Sequence, residues 1–264
     1  MDVVINIKKT VEQNAEIYFE KAKKYKKKIP GIEKTIKENK ERIAKIEKGI
    51  LLYEKENLSN ENVSRKKEWF EKFRWFISSD GFLVVGGRDA TTNDIIIKKH
   101  LDKNDLVFHT ELAGSPFVII KNPDNKTIPK TTIKEAAELC GSFSKSWKSS
   151  RSSAEVYHIT PEQVSKEAQS GEYISKGAFM IYGKRNFIEA ALNVAVCNDG
   201  KIMAGPVSAI KKYCSEKKIP YVEIIQGNDK LSDVGKKIKK IIGGDLDEII
   251  RSLPPDSTMK KTAK

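Results

Sequence analysis

The run Arg74-Trp75-Phe76-Ile77-Ser78-Ser79-Asp80-Gly81-Phe82-Leu83-Val84-Val85-Gly86 sets two strand-like stretches on either side of an Asp-Gly pair. Asp-Gly between apolar runs is a strong hairpin signal, because both residues tolerate the positive backbone angles of the tight turns that match strand twist. Downstream, Gly86 to Asp94 reads as a loop rich in capping residues, leading to a short helix from Ile95 to Leu101 capped by Asn93 or Asp94. Leu106 to Leu112 and Phe117 to Lys121 read as strands joined by Gly114-Ser115-Pro116. Thr131 or Thr132 caps the next helix, which runs through Ala136, Leu139, Phe143 and Trp147. With Val156 to Thr160, Phe179 to Tyr182 and Leu192 to Val196, the pattern is that of an α+β domain.

The C-terminal part reads as a smaller strand-helix unit. Lys201 to Ala204 and Tyr221 to Gln226 are strand-like, Gly205-Pro206 leads into a helix from Val207 to Lys217, and Ser232 caps a basic helix, Lys236 to Ile242. Leu246 to Leu253 reads as one more helix. Ser252 to Lys264, with its proline pair and basic end, is expected to be mobile.

Upstream of the hairpin the period changes to seven. Val11, Ala15, Tyr18, Ala22, Tyr25, Ile29, Ile32, Ile36, Asn39, Ile43, Ile46, Ile50 and Tyr53 are spaced alternately four and three apart, the signature of a coiled-coil seam. Pro30 and Gly31 interrupt the run, yet the seam keeps its phase across them, so one long kinked helix from about Val11 to Asn57 is expected. Such a stripe calls for a partner. Val63 to Trp75 is too short to cover about twelve helical turns, which leaves a second copy of the chain, another protein, or a solvated and partly frayed helix.

The 264 residues include 49 Lys and Arg against 36 Asp and Glu, for a net charge of +13. That excess favours a polyanionic partner, nucleic acid or an anionic membrane surface. It is uneven: +7 over Met1 to Phe76, +1 over Ile77 to Cys197, and +5 over Asn198 to Lys264. The longest apolar runs fall well short of the ~20 residues that span a bilayer. Met1 to Lys9 lacks the features of a secretory leader, so a cytoplasmic protein is expected. Cys140, Cys197 and Cys214 are odd in number and far apart, which fits neither a disulfide framework nor a zinc site; buried thiols are expected.

Local constellations carry the chemistry of RNA binding. Arg65, Lys66, Lys67, Lys72 and Arg74 alternate with Trp69, Phe70, Phe73 and Trp75, so cations can neutralise phosphates while aromatic faces either stack on bases or pack onto the domain. Arg88 in a glycine-flanked loop, with Asn93 and the Lys98-Lys99 pair, offers a fork and amides to a phosphate, or the glycines merely turn the chain. The run Ser142, Ser144, Lys145, Ser146, Lys148, Ser149, Ser150, Arg151, Ser152, Ser153 presents hydroxyl and cationic donors to a ribose-phosphate backbone, or forms a plain loop. The lysines of Lys236 to Lys240 read as a solvated helix face.

Lys67 to Phe82, continuing into Gly86-Gly87-Arg88-Asp89-Ala90-Thr91-Thr92-Asn93-Asp94, resembles the start of the RNA-binding domain, NFACT-R, of the archaeal and eukaryotic NFACT family. Further points of resemblance are His109 and Gly114, Ala136-Ala137, Pro161 to Lys166, Gly171-Glu172-Tyr173, and Gly177 to Ile181 with Gly183-Lys184. Asn14 to Lys24 is similar to the start of the family's coiled-coil arm. His109 and Lys166 join the RNA-binding candidates through these motifs.

The resemblance implies a role in ribosome-associated quality control: a factor that binds tRNA and rRNA on the large ribosomal subunit still carrying peptidyl-tRNA, with no catalytic residues, metal or cofactor of its own. The family's NFACT-N domain and helix-hairpin-helix module have no counterpart in this sequence, and the second coiled-coil arm is shortened to Leu58 through Trp75. The chain is therefore expected to be a fragment or one half of a split protein, to need a separate NFACT-N part for C-terminal tailing, and to pair its arm with itself or another protein. Ala113 stands where many members have His. The expected layout is a coiled-coil arm (1–62), a basic aromatic junction (63–76), a mixed-sheet NFACT-R domain (77–197) and an α/β extension with a mobile tail (198–264). The sequence leaves two other readings open. One is a general basic coiled-coil protein binding DNA and RNA alike; the other is a metal-dependent nuclease using Asp80, Asp89, Asp94, His109 and Glu111.

Overall fold

The computed structural model describes residues 4, 6–58, 67–112, 114–165 and 177–260. The chain divides into two compact units, Met1–Lys66 and Lys67–Lys264. The first is built on α1 (Val11–Leu58), which carries Pro30 inside it, as the unbroken heptad phase predicts. Its start is fixed by Asn14, whose side chain accepts from the Asn6 backbone nitrogen at 2.8 Å and donates to the Thr10 carbonyl at 3.0 Å. The seam residues Ala15, Tyr18, Ala22, Tyr25, Ile29, Ile32, Ile36, Ile43 and Ile46 all stand exposed. Ile50 lies among side chains outside the described set.

The second unit opens with a short 3-10 turn, Trp69–Lys72, and the hairpin of β1 (Arg74–Ile77) and β2 (Leu83–Gly86). Arg74 pairs with Gly86 and Ile77 with Leu83 across the Asp80-Gly81 turn. There follow α2 (Ala90–Lys99), β3 (Leu106–His109), β4 (Val118–Ile120), α3 (Lys130–Ser142), α4 (Lys145–Lys148) and β5 (Ser153–Ile159). After β6 (Val164–Ser165) and β7 (Met180–Ile181), β8 (Asn186–Ala191) completes a six-stranded sheet ordered β1-β2-β4-β3-β5-β8. Then β9 (Val194–Asn198), β10 (Ile202–Gly205), α5 (Val207–Lys217), β11 (Tyr221–Gln226), α6 (Leu231–Ile242), α7 (Leu246–Ser252) and β12 (Ser257–Met259) give a four-stranded sheet ordered β10-β9-β11-β12. Every described strand pairing is antiparallel, where a mixed sheet was expected.

The six-stranded sheet is covered on both faces, and its strands alternate between two cores with period two. Val84, Phe108, Val118, Ile120 and Val156 join the larger core with α3; Val85, Val107, Ile119 and Tyr157 join a second core with Ile96 of α2. The larger core is shared with the second sheet, since it also holds Val196, Ile224, Ile238 and Ile249. β10 runs so near β1 that a Cβ at Gly205 would fall 2.6 Å from the Phe76 ring. A boundary at 197/198 would therefore cut through β9 and through a common core. All three cysteines are free and buried.

Three local expectations are corrected. α2 begins five residues before Ile95 and is capped by Asp89, whose Oδ1 accepts from the Thr92 backbone at 2.8 Å. α3 begins at Lys130 after Pro129, leaving Thr132 buried and donating to Asp80 Oδ2 at 2.8 Å; it ends at Ser142, and Trp147 sits on the separate α4. The tail is pinned from Ser252 to Lys260: β12 pairs with β11, and Trp147 Nε1 donates to the Asp256 carbonyl at 3.2 Å; residues 261–264 lie outside the described residues.

Candidate nucleic-acid interface

The alternation of the six-stranded sheet builds the site. Two residues beyond Val85 and Val107 along their strands come Gly87 and His109, and two before Ile119 comes Phe117. There the α2 side of the sheet opens into a cavity of about 520 Å3, walled also by Arg74, Arg88, Asn93, Tyr157, Phe179 and Arg185. Its aromatic wall is fixed in place. The His109 ring lies flat on Phe117, centroids 4.0 Å apart at 2°, and its Nδ1 lies 3.0 Å from the Pro116 carbonyl. Burial holds His109 below the ordinary histidine value, so the imidazole is neutral near pH 7 and Nδ1 donates to that carbonyl. Arg185 sits over Tyr157 at 5.0 Å and is ion-paired with Glu111.

Arg74 and Arg88 form the other wall. Arg74 places its guanidinium 4.3 Å from the Phe143 ring centroid and donates through Nη1 to the Gly87 carbonyl. Arg88 donates through Nη2 to the carbonyls of Phe73 at 2.9 Å and Glu71 at 3.4 Å. The Nε of each is buried without a hydrogen-bond partner, a deficit of about 1–3 kcal/mol per group in general. Burial, with the Arg88 charge beside it, pushes Arg74 down to about 9, still protonated at neutral pH. Arg88 is lowered by burial and by Arg251. Both arginines also line a second cavity of about 450 Å3, with Lys67, Lys72, Glu248 and Arg251.

Of the residues singled out in the sequence, the structure brings Arg74, Arg88, Asn93 and His109 to the first cavity. Lys145 is next to it, since its Cε would lie 3.7 Å from a Cβ at Gly114. Lys67 and Lys72 line the second cavity, where Lys67 is paired with Glu248. Lys98 bonds Asp94 at 3.1 Å, and Lys99 is exposed away from both cavities. Lys148 and Arg151 are exposed beyond α3. Arg65, Lys66, Ala113 and Lys166 lie outside the described residues. Asn93 is a bracket rather than a free donor: it is buried, and its amide bonds Phe117 N and Ser115 O.

The aromatics of the junction pack onto the domain. Phe73 and Trp75 are buried, Phe70 lies 4.8 Å from Trp75, and Trp69 stacks on His100 at 4.2 Å. Ser142, Ser144 and Ser146 are likewise buried, with the Ser144 hydroxyl donating to the Gly141 carbonyl at 2.7 Å. The acids considered for a metal site are dispersed. Asp80 bonds Thr132, Asp89 caps α2, Asp94 accepts from Gly177 N at 2.9 Å, and Glu111 pairs with Arg185. Among the described residues no group of three or more His, Cys, Asp or Glu is placed to hold a metal. Tyr157 and Arg185 were not foreseen; Arg185 directly follows the Gly183-Lys184 motif, the one signal that pointed towards it.

Residues 72–183 match the family described as NFACT protein RNA binding domain, a span that takes in every described wall of the first cavity except Arg185. The second unit thus carries an RNA-binding domain of that type. The archaeal Rqc2 homolog aRqcH of Methanocaldococcus jannaschii is 38% identical over 202 residues, covering 73% of this chain and 29% of the relative. The ribosome quality control complex subunit NEMF homolog of Drosophila melanogaster is 39% identical over 179 residues, covering 66% and 17%; the human NEMF subunit is 37% identical over 179, covering 66% and 16%. The chain belongs to the NFACT family, and it spans less than a third of the length of these relatives.

Proposed function

We propose that this chain is an RNA-binding component of ribosome-associated quality control, contacting tRNA, rRNA or both on a large ribosomal subunit that carries peptidyl-tRNA. The observation that carries the reading is the coincidence of the NFACT RNA-binding match with a cavity walled by Arg74, Arg88 and Arg185. Basic groups set in a concavity favour a phosphate-bearing partner over a flat anionic surface. The chain acts in the cytoplasm by binding and leaves peptide-bond chemistry to the ribosome; it supports tailing together with an NFACT-N part. Among the described residues no helix is long and apolar enough to cross a membrane.

Sedimentation of the full chain with split large subunits bearing peptidyl-tRNA tests this, with and without an added NFACT-N part. Co-sedimentation is expected, and its absence in both cases overturns the reading. Gel shifts at matched salt separate it from general electrostatic binding, since equal affinity for duplex DNA and tRNA would favour the latter. Labelled tRNA incubated with the chain and Mg2+ is expected to remain intact.

A further inference from the structure

Arg74 and Arg88 are an unusual pair of half-buried side chains. Each uses one terminal nitrogen on a backbone carbonyl, Arg74 through Nη1 and Arg88 through Nη2. Arg74 Nη2 and Arg88 Nη1 have no hydrogen-bond partner among the described residues, and neither guanidinium is in an ion pair there. Asp89 lies near both and Glu248 near Arg88, but the Asp89 carboxylate is engaged by the Thr92 backbone and hydroxyl and that of Glu248 by Lys67. The contrast within the same cavity is Arg185, which has Glu111 as its counter-ion. Half-buried like charges held side by side, with the neighbouring carboxylates bonded elsewhere, oppose folding, so such a pair is the mark of an anion that arrives later.

We propose that the free ends of Arg74 and Arg88 clamp one phosphate of an unpaired RNA strand at the mouth of the first cavity. This deepens the RNA-binding reading and rests on it. The occupant follows from shape and chemistry. The free terminal nitrogen of each guanidinium can donate to a phosphate oxygen, and both side chains are already held, Arg74 by Phe143 and Gly87 and Arg88 by Phe73, so little side-chain freedom is lost on binding. A concavity of about 520 Å3 has room for a nucleotide-sized group and none for a duplex. On its wall the partly exposed His109 ring, backed by the buried Phe117, is a flat surface of the kind against which unstacked nucleotides pack.

The test follows the arginine Nε–H signals of the full chain by NMR during titration with a single-stranded RNA hexamer, its duplex form, and inorganic phosphate. The expected result is movement of the Arg74 and Arg88 signals with the hexamer and, at far higher concentration, with phosphate, while Arg151 stays still and the duplex binds more weakly. Arg88→Gln is expected to weaken the hexamer by about tenfold and to reduce the salt slope by about 0.7, one phosphate contact on a single strand. Because Arg88 also braces the backbone, the melting temperature of the variant is measured alongside, and the wild-type titration decides independently of it. Hexamer binding that leaves both signals unmoved overturns the clamp and leaves the RNA reading intact. Phosphate moving both signals while no RNA binds overturns RNA as the occupant and the RNA reading together, leaving a site for free phosphate. No movement with any ligand overturns the clamp.

Discussion

The Oδ1 of Asn93 accepts a hydrogen bond from the Phe117 backbone nitrogen at 3.1 Å, while its Nδ2 lies 3.4 Å from the Ser115 carbonyl. One side chain on α2 thus holds the approach to β4, and with it the wall on which His109 rests. Asn93→Ala leaves the buried Phe117 N–H unpaired and is expected to cost about 1–3 kcal/mol, read as a lower urea midpoint at unchanged slope.

The same side chain sets the sign at Gly87, and Gly31 gives the opposite sign. A Cβ on Gly87 would fall 1.8 Å from Asn93 Oδ1, so Gly87→Ala is expected to destabilise by about 1–3 kcal/mol. A Cβ on Gly31, inside α1, meets nothing within 4 Å. Gly31→Ala is therefore expected to raise the helical signal of the first unit, with a gain of about 0.5–1 kcal/mol of helix stability. Circular dichroism of the two variants checks both signs.

Glu135 ties the hairpin to two helices. Its carboxylate accepts from Ser79 N at 2.8 Å and from the Ser208 hydroxyl at 2.9 Å, joining α3 to the β1-β2 turn and to α5. Glu135→Ala is expected to lose about 3 kcal/mol, and Glu135→Gln less, because the amide oxygen still accepts. Chemical denaturation distinguishes the two.

Stability should fall on mild acidification. Burial lowers His100, His109 and His158 below the ordinary histidine value. Between the lowered folded value and the unfolded value near 6.5 the unfolded chain binds more protons, so the contribution is full above about pH 6.5 and is lost as pH falls through the folded values. Denaturation midpoints at pH 7.5 and 5.5 are expected to drop in that order, and His109→Gln to narrow the gap.

Much of the fold is legible where one residue type does one job. The Asp80-Gly81 hairpin, the seven-residue period across Pro30 and the helix from Val207 to Lys217 match the structure because turn chemistry and periodicity act locally. β8 was missed because Asn186 to Ala191 is mostly exposed and shows no alternation; it is held by backbone pairing to β5, which its own residues do not announce. The start of α2 was placed late because its first turn, Ala90 to Asn93, carries no large apolar residue, so the apolar pattern begins only at Ile95.

The site was legible in part for a similar reason. Arg74, Arg88 and His109 sit beside turns whose sequence marks them, whereas Arg185 reaches Glu111 across seventy-four positions and Tyr157 faces the cavity only because β5 lies beside β3. The aromatic junction was ambiguous by nature: Trp69 and Phe73 have the composition of a base-stacking surface, and only packing reveals that His100 already occupies the Trp69 face and that Phe73 is fully buried.

The short β12 occupies the outer side of β11, and Ser257 is fully buried there. Its three residues shield the amides and carbonyls of Ile224 to Gln226 from pairing with another molecule. Cleavage after Leu253 would bare that edge together with the exposed Ile225, turning a soluble surface into a template for strand-by-strand aggregation. The last residues of the sheet thus protect solubility, and recombinant versions of this domain should keep them.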